Sequence, residues 1–334
     1  MIPANAPSTQ PTPWQVQWRE AVREPAELLA ALGLERLSDR LAVGGTRQFP
    51  LRVPRHFLAR MRHGDADDPL LRQVLPLDAE DQPAAGFGLD AVGDLDARAA
   101  PGLLHKYEGR ALLVATGSCA IHCRYCFRRH FPYAEETAAA NQWSGALDHL
   151  RRAPDIEEVL LSGGDPLSLS TAKLRQFTDA LSGIGHVKRL RLHTRLPIVL
   201  PARIDAPLLD WIAGLAQQCI VVVHANHPNE IDRDVTSALT ALREAGATVL
   251  NQAVLLRGVN DDVESLAGLS LALFESGTLP YYLHQLDRVA GVAHFEVDDA
   301  RALQLVEALR TRLPGYLVPK LVREVAGAGS KLPL

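Results

Sequence analysis

The sequence predicts an α/β fold, a partial TIM-like (β/α)6 barrel with an N-terminal helical region in front of it. Short runs rich in branched aliphatic residues alternate with helical patterns six times after residue 101. Strands and helices that alternate in this way form a parallel sheet through right-handed crossovers. A chain of 334 residues accommodates one large α/β barrel or two ordinary domains, and 47% hydrophobic residues supply a substantial core. In such a barrel, chemistry is expected at the carboxyl ends of the strands.

The predicted elements of residues 101–334 follow one another regularly and define the core barrel. The strands are expected at residues 111–116, 158–162, 189–194, 220–224, 249–255 and 280–285. The helices are expected at residues 138–152, 171–181, 206–217, 232–245, 263–275 and 300–312. A last extended segment is expected at residues 316–325.

Residues 1–100 are predicted to form a helical region and a connector without a site of their own. Residues 1–12 are rich in Pro, Ser, Thr and Gln and predict a loose arm. The remaining predictions are a helix at 14–36, an extended piece running into a helix at 47–62, one or two helical turns at 68–75, and a connector at 76–102.

The composition narrows the class of protein. The 35 Lys and Arg residues against 39 Asp and Glu residues give a net charge of −4, which argues against nucleic acid or an anionic membrane as a partner. No apolar run approaches the roughly 18 residues of a membrane span, and the N-terminus lacks the apolar core of a signal peptide. Three of the four cysteines are clustered and do not form a disulfide framework, so we expect a cytoplasmic protein.

The cysteines Cys119, Cys123 and Cys126 form a C-x3-C-x2-C pattern directly after the first predicted barrel strand. This spacing lets one short loop direct three thiolates at one point, which favours an iron–sulfur cluster with one iron left open. Structural zinc is the alternative, but zinc prefers four protein ligands, usually in two pairs. The remaining cysteine, Cys219, lies in an apolar run and is interpreted as a core residue.

A Gly-Gly turn follows the second predicted strand and consists of Gly163 and Gly164, with Asp165 after them. Two glycines allow the backbone to approach a ligand closely. An ordinary turn in which Asp165 caps nearby backbone is the alternative. Near the C-terminus, Lys331 follows a loop of Gly, Ala and Ser. It is either a solvated lysine or one shielded for covalent chemistry.

A third polar group follows the fourth predicted strand and contains His224, His227 and Glu230. The compact spacing is compatible with a metal site, but no fourth ligand is evident. Imidazoles in such a loop can also order it through hydrogen bonds. We therefore favour a pocket-lining role over a metal site.

Together, these motifs resemble the lysine 2,3-aminomutases, a family of radical S-adenosylmethionine (SAM) enzymes. The resemblance runs from residue 103 to the end. Residues 101–107 (PGLLHKY) and 126–133 (CFRRHFPY) resemble the branch that modifies elongation factor P (EF-P), as does the segment 68–75. The motifs that carry the resemblance to the lysine 2,3-aminomutases as a whole are the cysteine loop, LSGGD at 161–165, HANHPNE at 224–230, NQ at 251–252, LLRGVND at 255–261 and GSK at 329–331.

The resemblance implies three cofactors: a [4Fe-4S] cluster, SAM and pyridoxal 5′-phosphate (PLP). Lys331 would be the catalytic lysine that holds PLP as a Schiff base. The other implied roles are cluster ligation by Cys119, Cys123 and Cys126, PLP contacts by Tyr107, Lys106 and Arg110, SAM contacts by Gly163, Gly164, Asp165 and Gln252, a grip on the substrate carboxylate by Arg128, and a grip on its ε-ammonium by Asp287 and Glu324. A guanidinium fork suits a carboxylate better than an ammonium group does.

The implied function is an isomerase that converts (S)-α-lysine to (R)-β-lysine for the modification of EF-P. L-lysine, an electron donor such as flavodoxin or ferredoxin, and an EF-P lysine ligase would be its partners. The chain departs from the free-lysine enzymes in having Glu324 where they have Asp, Asp262 where they have a zinc-ligand cysteine, and no long C-terminal extension. The departures agree with the EF-P branch, and they leave the oligomeric state undetermined.

Two alternative functions remain at this point. One is a related aminomutase acting on another amino acid, such as glutamate, although the acidic Asp287 and Glu324 argue for a cationic side chain. The other is a non-catalytic iron–sulfur or zinc protein that binds RNA through its basic clusters at residues 128–130 and 188–191.

Overall fold

A single sheet of ten strands organises the chain, and its strands lie in sequence order from β1 to β10. The computed structural model describes residues 13–42, 44, 49–139 and 143–334. The strands are β1 Arg98–Ala100, β2 Leu103–Tyr107, β3 Arg110–Thr116, β4 Glu158–Gly163, β5 Arg189–Thr194, β6 Gln218–Val223, β7 Thr248–Val254, β8 Leu279–His284, β9 Lys320–Arg323 and β10 Leu332–Pro333.

The strands β3 to β9 are parallel to one another, whereas β1, β2 and β10 add antiparallel pairings at the two edges. The six predicted strands correspond to β3 to β8, each within two residues of its predicted bounds. In the described part of the chain, β1 and β10 do not pair with each other, so the barrel is open. The partial (β/α)6 barrel is confirmed, and β9, predicted as an extended segment, extends the parallel sheet.

Four of the six predicted barrel helices agree with the structure within one residue, whereas the first begins at Ser144 instead of residue 138 and the third ends at Ala213 instead of residue 217. The helix bounds are Trp14–Arg19, Pro25–Leu32, Arg55–Leu58, Pro69–Arg72, Ser144–Arg152, Thr171–Ser182, Leu196–Val199, Ala206–Ala213, Arg233–Glu244, Val263–Glu275 and Asp299–Arg312. Four of the barrel helices start after an aspartate whose side chain accepts a backbone N–H of the first turn: Asp205, Asp232, Asp262 and Asp298. Such caps satisfy N–H groups that the helix itself leaves unbonded. Asp262 therefore acts as a helix cap.

The N-terminal region differs from its prediction in one respect. The single helix expected at 14–36 is broken into Trp14–Arg19 and Pro25–Leu32, with a 3-10 helix after it at Glu35–Arg40. Between the first two, Val22 exchanges backbone hydrogen bonds of 2.8 and 2.9 Å with Val53. An extended residue cannot also be helical, and Pro25 then starts the second helix because it needs no N–H there.

Other predictions of the first third hold within the described residues. The extended piece is seen at Val53, the helix after it at Arg55–Leu58, and the later helical turn at Pro69–Arg72. The predicted loose arm at 1–12, residues 47 and 48 of the extended piece, and residues 140–142 of the predicted helix 138–152 lie outside the described residues. That helix begins at Ser144.

The hydrophobic core is continuous from the N-terminal region into the barrel. One cluster of buried residues contains Trp14, Leu28 and Phe57 together with Leu113 of β3 and Leu192 of β5. Residues 13–100 therefore pack against the barrel. None of the helices in the described ranges combines the length and apolarity that a bilayer crossing requires.

The tight turn between β1 and β2 depends on Gly102. Its φ is +70°, and a Cβ atom built there would lie 2.2 Å from the backbone nitrogen of Ala138. Gly102 also donates its N–H to Glu136 Oε2 at 2.9 Å. The chain after this turn forms β2, which carries Lys106 and Tyr107 to the interior of the sheet.

Replacement of Gly102 by alanine is expected to lower the free energy of unfolding by about 2–5 kcal/mol, since it adds a left-handed backbone penalty to an overpacking penalty. The matched control is Gly64→Ala, because Gly64 has a φ of +76° but no atom within 4 Å of a built Cβ. The control is expected to lose only about 1–2 kcal/mol. Denaturant unfolding of both variants measures the difference, and equal losses would contradict the steric argument.

Candidate active site

A cavity of about 300 Å³ lies within the sheet and is enclosed mainly by residues of the strands and of the loops that follow them. Every residue to which the resemblance assigns a cofactor or substrate contact lines this cavity. They are Lys106, Tyr107, Arg110, Cys119, Cys123, Cys126, Arg128, Gly163, Gly164, Asp165, Gln252, Asp287, Glu324 and Lys331. The cysteine loop and the C-terminal lysine, which are more than 200 residues apart in sequence, therefore face one space.

The three thiols of the loop after β3 are free. Burial, followed by the neighbouring Cys123, raises the pKa of Cys126 to about 11. The Arg195 guanidinium donates a hydrogen bond of 2.7 Å to Cys123 Sγ. Among the described residues, no group of three or more His, Cys, Asp or Glu side chains forms a ready metal site. Three thiolates from one loop, with a cation beside them, nevertheless fit the donor set of a [4Fe-4S] cluster.

The Gly-Gly turn after β4 packs against the cysteine loop. A Cβ atom on Gly164 would lie 2.6 Å from the carbonyl oxygen of Ser118, so only glycine fits. The Asp165 N–H donates to the same oxygen at 2.8 Å. The Asp165 carboxylate accepts hydrogen bonds from Leu167 N, Thr194 Oγ1, Arg195 N and Leu196 N. The Asp165 side chain therefore caps nearby backbone, as the alternative interpretation of this turn predicts. The SAM contact of residues 163–165 remains a prediction, and the backbone of these residues would make it.

Lys331, which also lines the cavity, is paired with Glu324. The Lys331 Nζ atom lies 2.6 Å from Glu324 Oε2, and the Tyr107 hydroxyl donates to Oε1 of the same carboxylate. Burial opposes ionisation of Glu324, but the charge and hydrogen bond of Lys331 lower its pKa below the ordinary value. The pairing follows from register, since Arg323 of β9 faces Leu332 of β10. Glu324, predicted to bind the substrate ammonium, here binds the ammonium of Lys331.

The second predicted acidic residue, Asp287, is in a different electrostatic state. Its enclosure raises its pKa to about 7, against the attraction of Lys331 and with a contribution from the charge of Glu324. The two carboxylates near Lys331 therefore differ in their affinity for a proton. Near neutral pH, Asp287 is partly protonated until a cation approaches it.

The predicted carboxylate-binding residue, Arg128, is tied to the N-terminal region. Its Nε atom donates to Asp94 Oδ2 at 2.7 Å, and another nitrogen donates to Ser162 Oγ at 3.1 Å. Lys106 Nζ lies 2.7 Å from Asp94 Oδ1. Burial of Asp94 is outweighed by Arg128 and Lys106, so the pKa of Asp94 is below its usual value. The sequence predicts no separate site in residues 1–100, and Asp94 shows that this region nevertheless contributes a side chain to the cavity of the barrel.

The surroundings of Lys331 fit a flat, anionic cofactor such as PLP. The Arg110 guanidinium lies 4.5 Å from the centre of the Tyr107 ring, and Lys331 Nζ lies 6.0 Å from that of Tyr282. Rings offer stacking surface, and Lys106 and Arg110 offer positive charge for a phosphate. The cradle of aromatic rings, cations and one lysine is the chemistry that this cofactor needs.

The group after β6 does not form a metal site. Glu230 Oε1 accepts the N–H groups of Asn226 and His227 at 2.9 and 3.1 Å, so the acid orders the loop. His227 Nδ1 accepts the N–H of Asn229 at 3.2 Å. His224 lines the cavity, as the sequence predicts, whereas His227 and Glu230 are not among its lining residues, so the pocket-lining role predicted for these two is wrong. Burial, with Arg195 next in effect, lowers the pKa of His224 to about 4, so it is neutral.

Several cavity residues were missed by sequence reasoning. His193, His284 and Arg195 line the cavity with His224, and within the described residues the Nε2 atoms of the three histidines have no hydrogen-bond partner. Their signal is position, because each lies at or just after the carboxyl end of β5, β6 or β8. Asp94 had no such signal, since it lies in a segment without periodicity.

The chain is similar in sequence to several proteins named L-lysine 2,3-aminomutase. L-lysine 2,3-aminomutase of Escherichia coli is 47% identical over 100% of this chain and 97% of that protein. The Haemophilus influenzae protein of that name is 44% identical over 95% and 94%, and the Clostridium subterminale one is 32% identical over 96% and 77%. No family model matches. A radical SAM methyltransferase structure from Sphaerobacter thermophilus gives a TM-score of 0.47 at 18% identity, over 66% of this chain and 68% of that chain.

The raised pKa of Asp287 predicts a pH-dependent stability. Between about pH 4 and 7 the folded protein holds a proton that the unfolded chain has released, so stability falls as the pH rises, by up to about 1.4 kcal/mol per pH unit. Asp287→Asn removes this contribution. The variant should therefore gain stability relative to the parent from pH 4 to 7, and the gain should level off above pH 7.

Denaturant unfolding of the ligand-free protein at several pH values measures this effect. The control is Asp148→Asn, because the Asp148 side chain is 58% exposed and forms an exposed pair with Arg151 at 2.7 Å. Parallel stability curves for Asp287→Asn and the parent protein would contradict the assignment.

Proposed function

The chain belongs to the L-lysine 2,3-aminomutase family, and we propose that it is a radical SAM, PLP-dependent isomerase that converts (S)-α-lysine to (R)-β-lysine. The observation that carries the proposal is the shared cavity, into which both the cysteine loop and Lys331 open. Cys119, Cys123 and Cys126 would hold the [4Fe-4S] cluster and Lys331 would hold PLP. When bound, the cluster and SAM supply a hydrogen-abstracting radical, and PLP supplies the group that carries the migrating nitrogen.

The remaining residues are proposed to bind and orient lysine. Arg128 would take the carboxylate at one end of lysine, and Asp287 and Glu324 would take the ε-ammonium at the other end. Fixing both ends selects which hydrogen of the substrate faces the radical. A misplacement of about 1 Å can cost on the order of a hundredfold in rate.

We propose a second role for Glu324, in the proton balance of Lys331. A lysine must lose a proton before its nitrogen can form a covalent bond. Glu324 Oε2 lies 2.6 Å from Lys331 Nζ and, with its pKa below the ordinary value, stabilises the ammonium form of Lys331, so that proton is released only once the pair is broken. Once Lys331 has been displaced, the same carboxylate becomes available to the ammonium of the substrate.

The EF-P branch is proposed from residues 101–107 and 126–133 and from the glutamate at position 324. In that case the product is passed to an EF-P lysine ligase, and flavodoxin or ferredoxin supplies electrons. The RNA-binding alternative is disfavoured because its basic clusters are engaged in the protein. Arg128 and Arg129 are buried and paired with Asp94 and Glu80, and Arg191 pairs with Glu158.

Borohydride reduction of the PLP-loaded protein tests the proposal directly. Mass spectrometry is expected to find a pyridoxyl adduct on Lys331. Lys331→Ala should lose the adduct and all lysine turnover while reductive cleavage of SAM survives, because the cysteine loop is untouched. The control Lys320→Ala removes an exposed lysine of β9 and should keep both properties. An adduct on another lysine, or none, would refute the role of Lys331.

Substrate class is tested by comparing the turnover of lysine with that of glutamate. A glutamate side chain would bring a carboxylate towards Asp287 and Glu324, and like charges in contact cost several kcal/mol, which is a discrimination of about 100-fold or more. Asp287→Asn should narrow this ratio, because the ammonium of lysine then loses one of its two acidic partners. Equal turnover of both amino acids by the parent protein would contradict lysine specificity.

A further inference from the structure

The carboxylate of Glu80 lies in the 3-10 helix Asp78–Asp81 of the N-terminal region and is completely buried. It receives two hydrogen bonds from Arg124, one of them from Nε to Oε1 at 2.7 Å. It also receives a hydrogen bond of 2.7 Å from Arg129 to Oε2. Both guanidiniums are themselves buried. One carboxylate thus joins two arginines that have almost no contact with water.

These two arginines belong to the cysteine loop. Arg124 directly follows Cys123, and Arg129 comes three residues after Cys126. Arg129 also donates to the carbonyl oxygen of Arg124 at 3.0 Å, and its N–H donates to that of Cys126 at 3.2 Å. Glu80 therefore holds both ends of the segment that carries Cys126. Without it, two positive charges would be buried with no carboxylate between them.

Other residues of the N-terminal region contact the same loop. The Gln73 carbonyl accepts the Arg124 N–H at 2.8 Å, and the Arg52 carbonyl accepts the His122 N–H at 3.0 Å. The Gln73 side chain accepts a hydrogen bond of 2.6 Å from Arg195, the residue that also donates to Cys123 Sγ. Arg52, Gln73 and Glu80 of the N-terminal region thus fix the backbone and the charges of the loop.

We propose that Glu80 is a positioning residue for the iron–sulfur cluster and that the N-terminal region forms one side of the cluster site. The inference rests on the proposed function. Glu80, Arg124 and Arg129 together carry a net charge of +1, which suits a loop that presents three thiolates. Residues outside the ligand set that orient metal ligands typically contribute about 10- to 100-fold to metal affinity.

The test uses Glu80→Gln, which keeps the shape of the side chain and removes its charge. Anaerobically reconstituted protein is exposed to an iron chelator, and the iron and sulfide retained per chain are measured. The apparent affinity for iron should fall about 10- to 100-fold. In the cluster that remains, the midpoint potential should shift to a more positive value, because the loss of a negative charge favours the more negative reduced state. A purely structural role would not produce a signed shift in potential.

The matched control is Glu27→Gln, which breaks an exposed pair with Arg55 in the same N-terminal region. It should match the parent in iron retention and potential. Formation of the pyridoxyl adduct on Lys331 verifies that Glu80→Gln is folded. If that variant does not fold, Arg129→Lys replaces it, since it loses the hydrogen bonds to Arg124 and Gly291 but keeps the charge. It should lower iron retention at an unchanged potential.

The outcomes separate the two proposals. A parent protein that binds no iron contradicts the proposed function. A parent that binds iron, together with a folded Glu80→Gln whose iron retention and potential are unchanged, overturns the inference about Glu80. If Arg129→Lys has to replace Glu80→Gln, full iron retention in Arg129→Lys likewise overturns the inference about Glu80.

Discussion

Four buried arginines shape this protein, because each pairs with a carboxylate from another part of the chain. Arg124 and Arg129 meet Glu80, Arg128 meets Asp94, and Arg195 meets Glu230. Removing one partner from a buried pair typically costs about 3–5 kcal/mol. The pairs join the N-terminal region to the cysteine loop, and one barrel loop to the next. The cavity is therefore bounded by ion pairs. Loss of either partner of such a pair would leave the other charge buried without a partner or expose it to water.

The cavity wall carries two chemically distinct sets of groups. One set consists of thiols beside the Arg195 cation, and the other consists of the Lys331 amine, the Glu324 carboxylate paired with it and the carboxyl group of Asp287, whose pKa is raised by burial. Neutral imidazoles such as His193 and His224 lie at the strand ends. Parallel strands make this possible, because they bring the ends of distant segments to the same side of the sheet.

Much of the barrel could be predicted from sequence, since each strand is a short apolar run followed by a polar or glycine-containing turn. The site residues carried over from the resemblance all line one cavity, although their roles stay predictions. The strands β1 and β2 were missed because they are short and joined by a single tight turn at Gly102. Asp94 and Glu80 were missed because isolated acids in an aperiodic connector give no local signal of burial. Only tertiary contacts reveal what they pair with.

The antiparallel pairing of β9 with β10 has a consequence for how this chain can vary. Because Arg323 faces Leu332, Glu324 and Lys331 come next across the hairpin, at the two sides of the turn formed by residues 325–330. Side chains alternate between the two faces of a strand, so inserting or deleting a single residue in this turn would rotate the amine away from its acid. We therefore expect this turn to tolerate substitutions better than insertions or deletions.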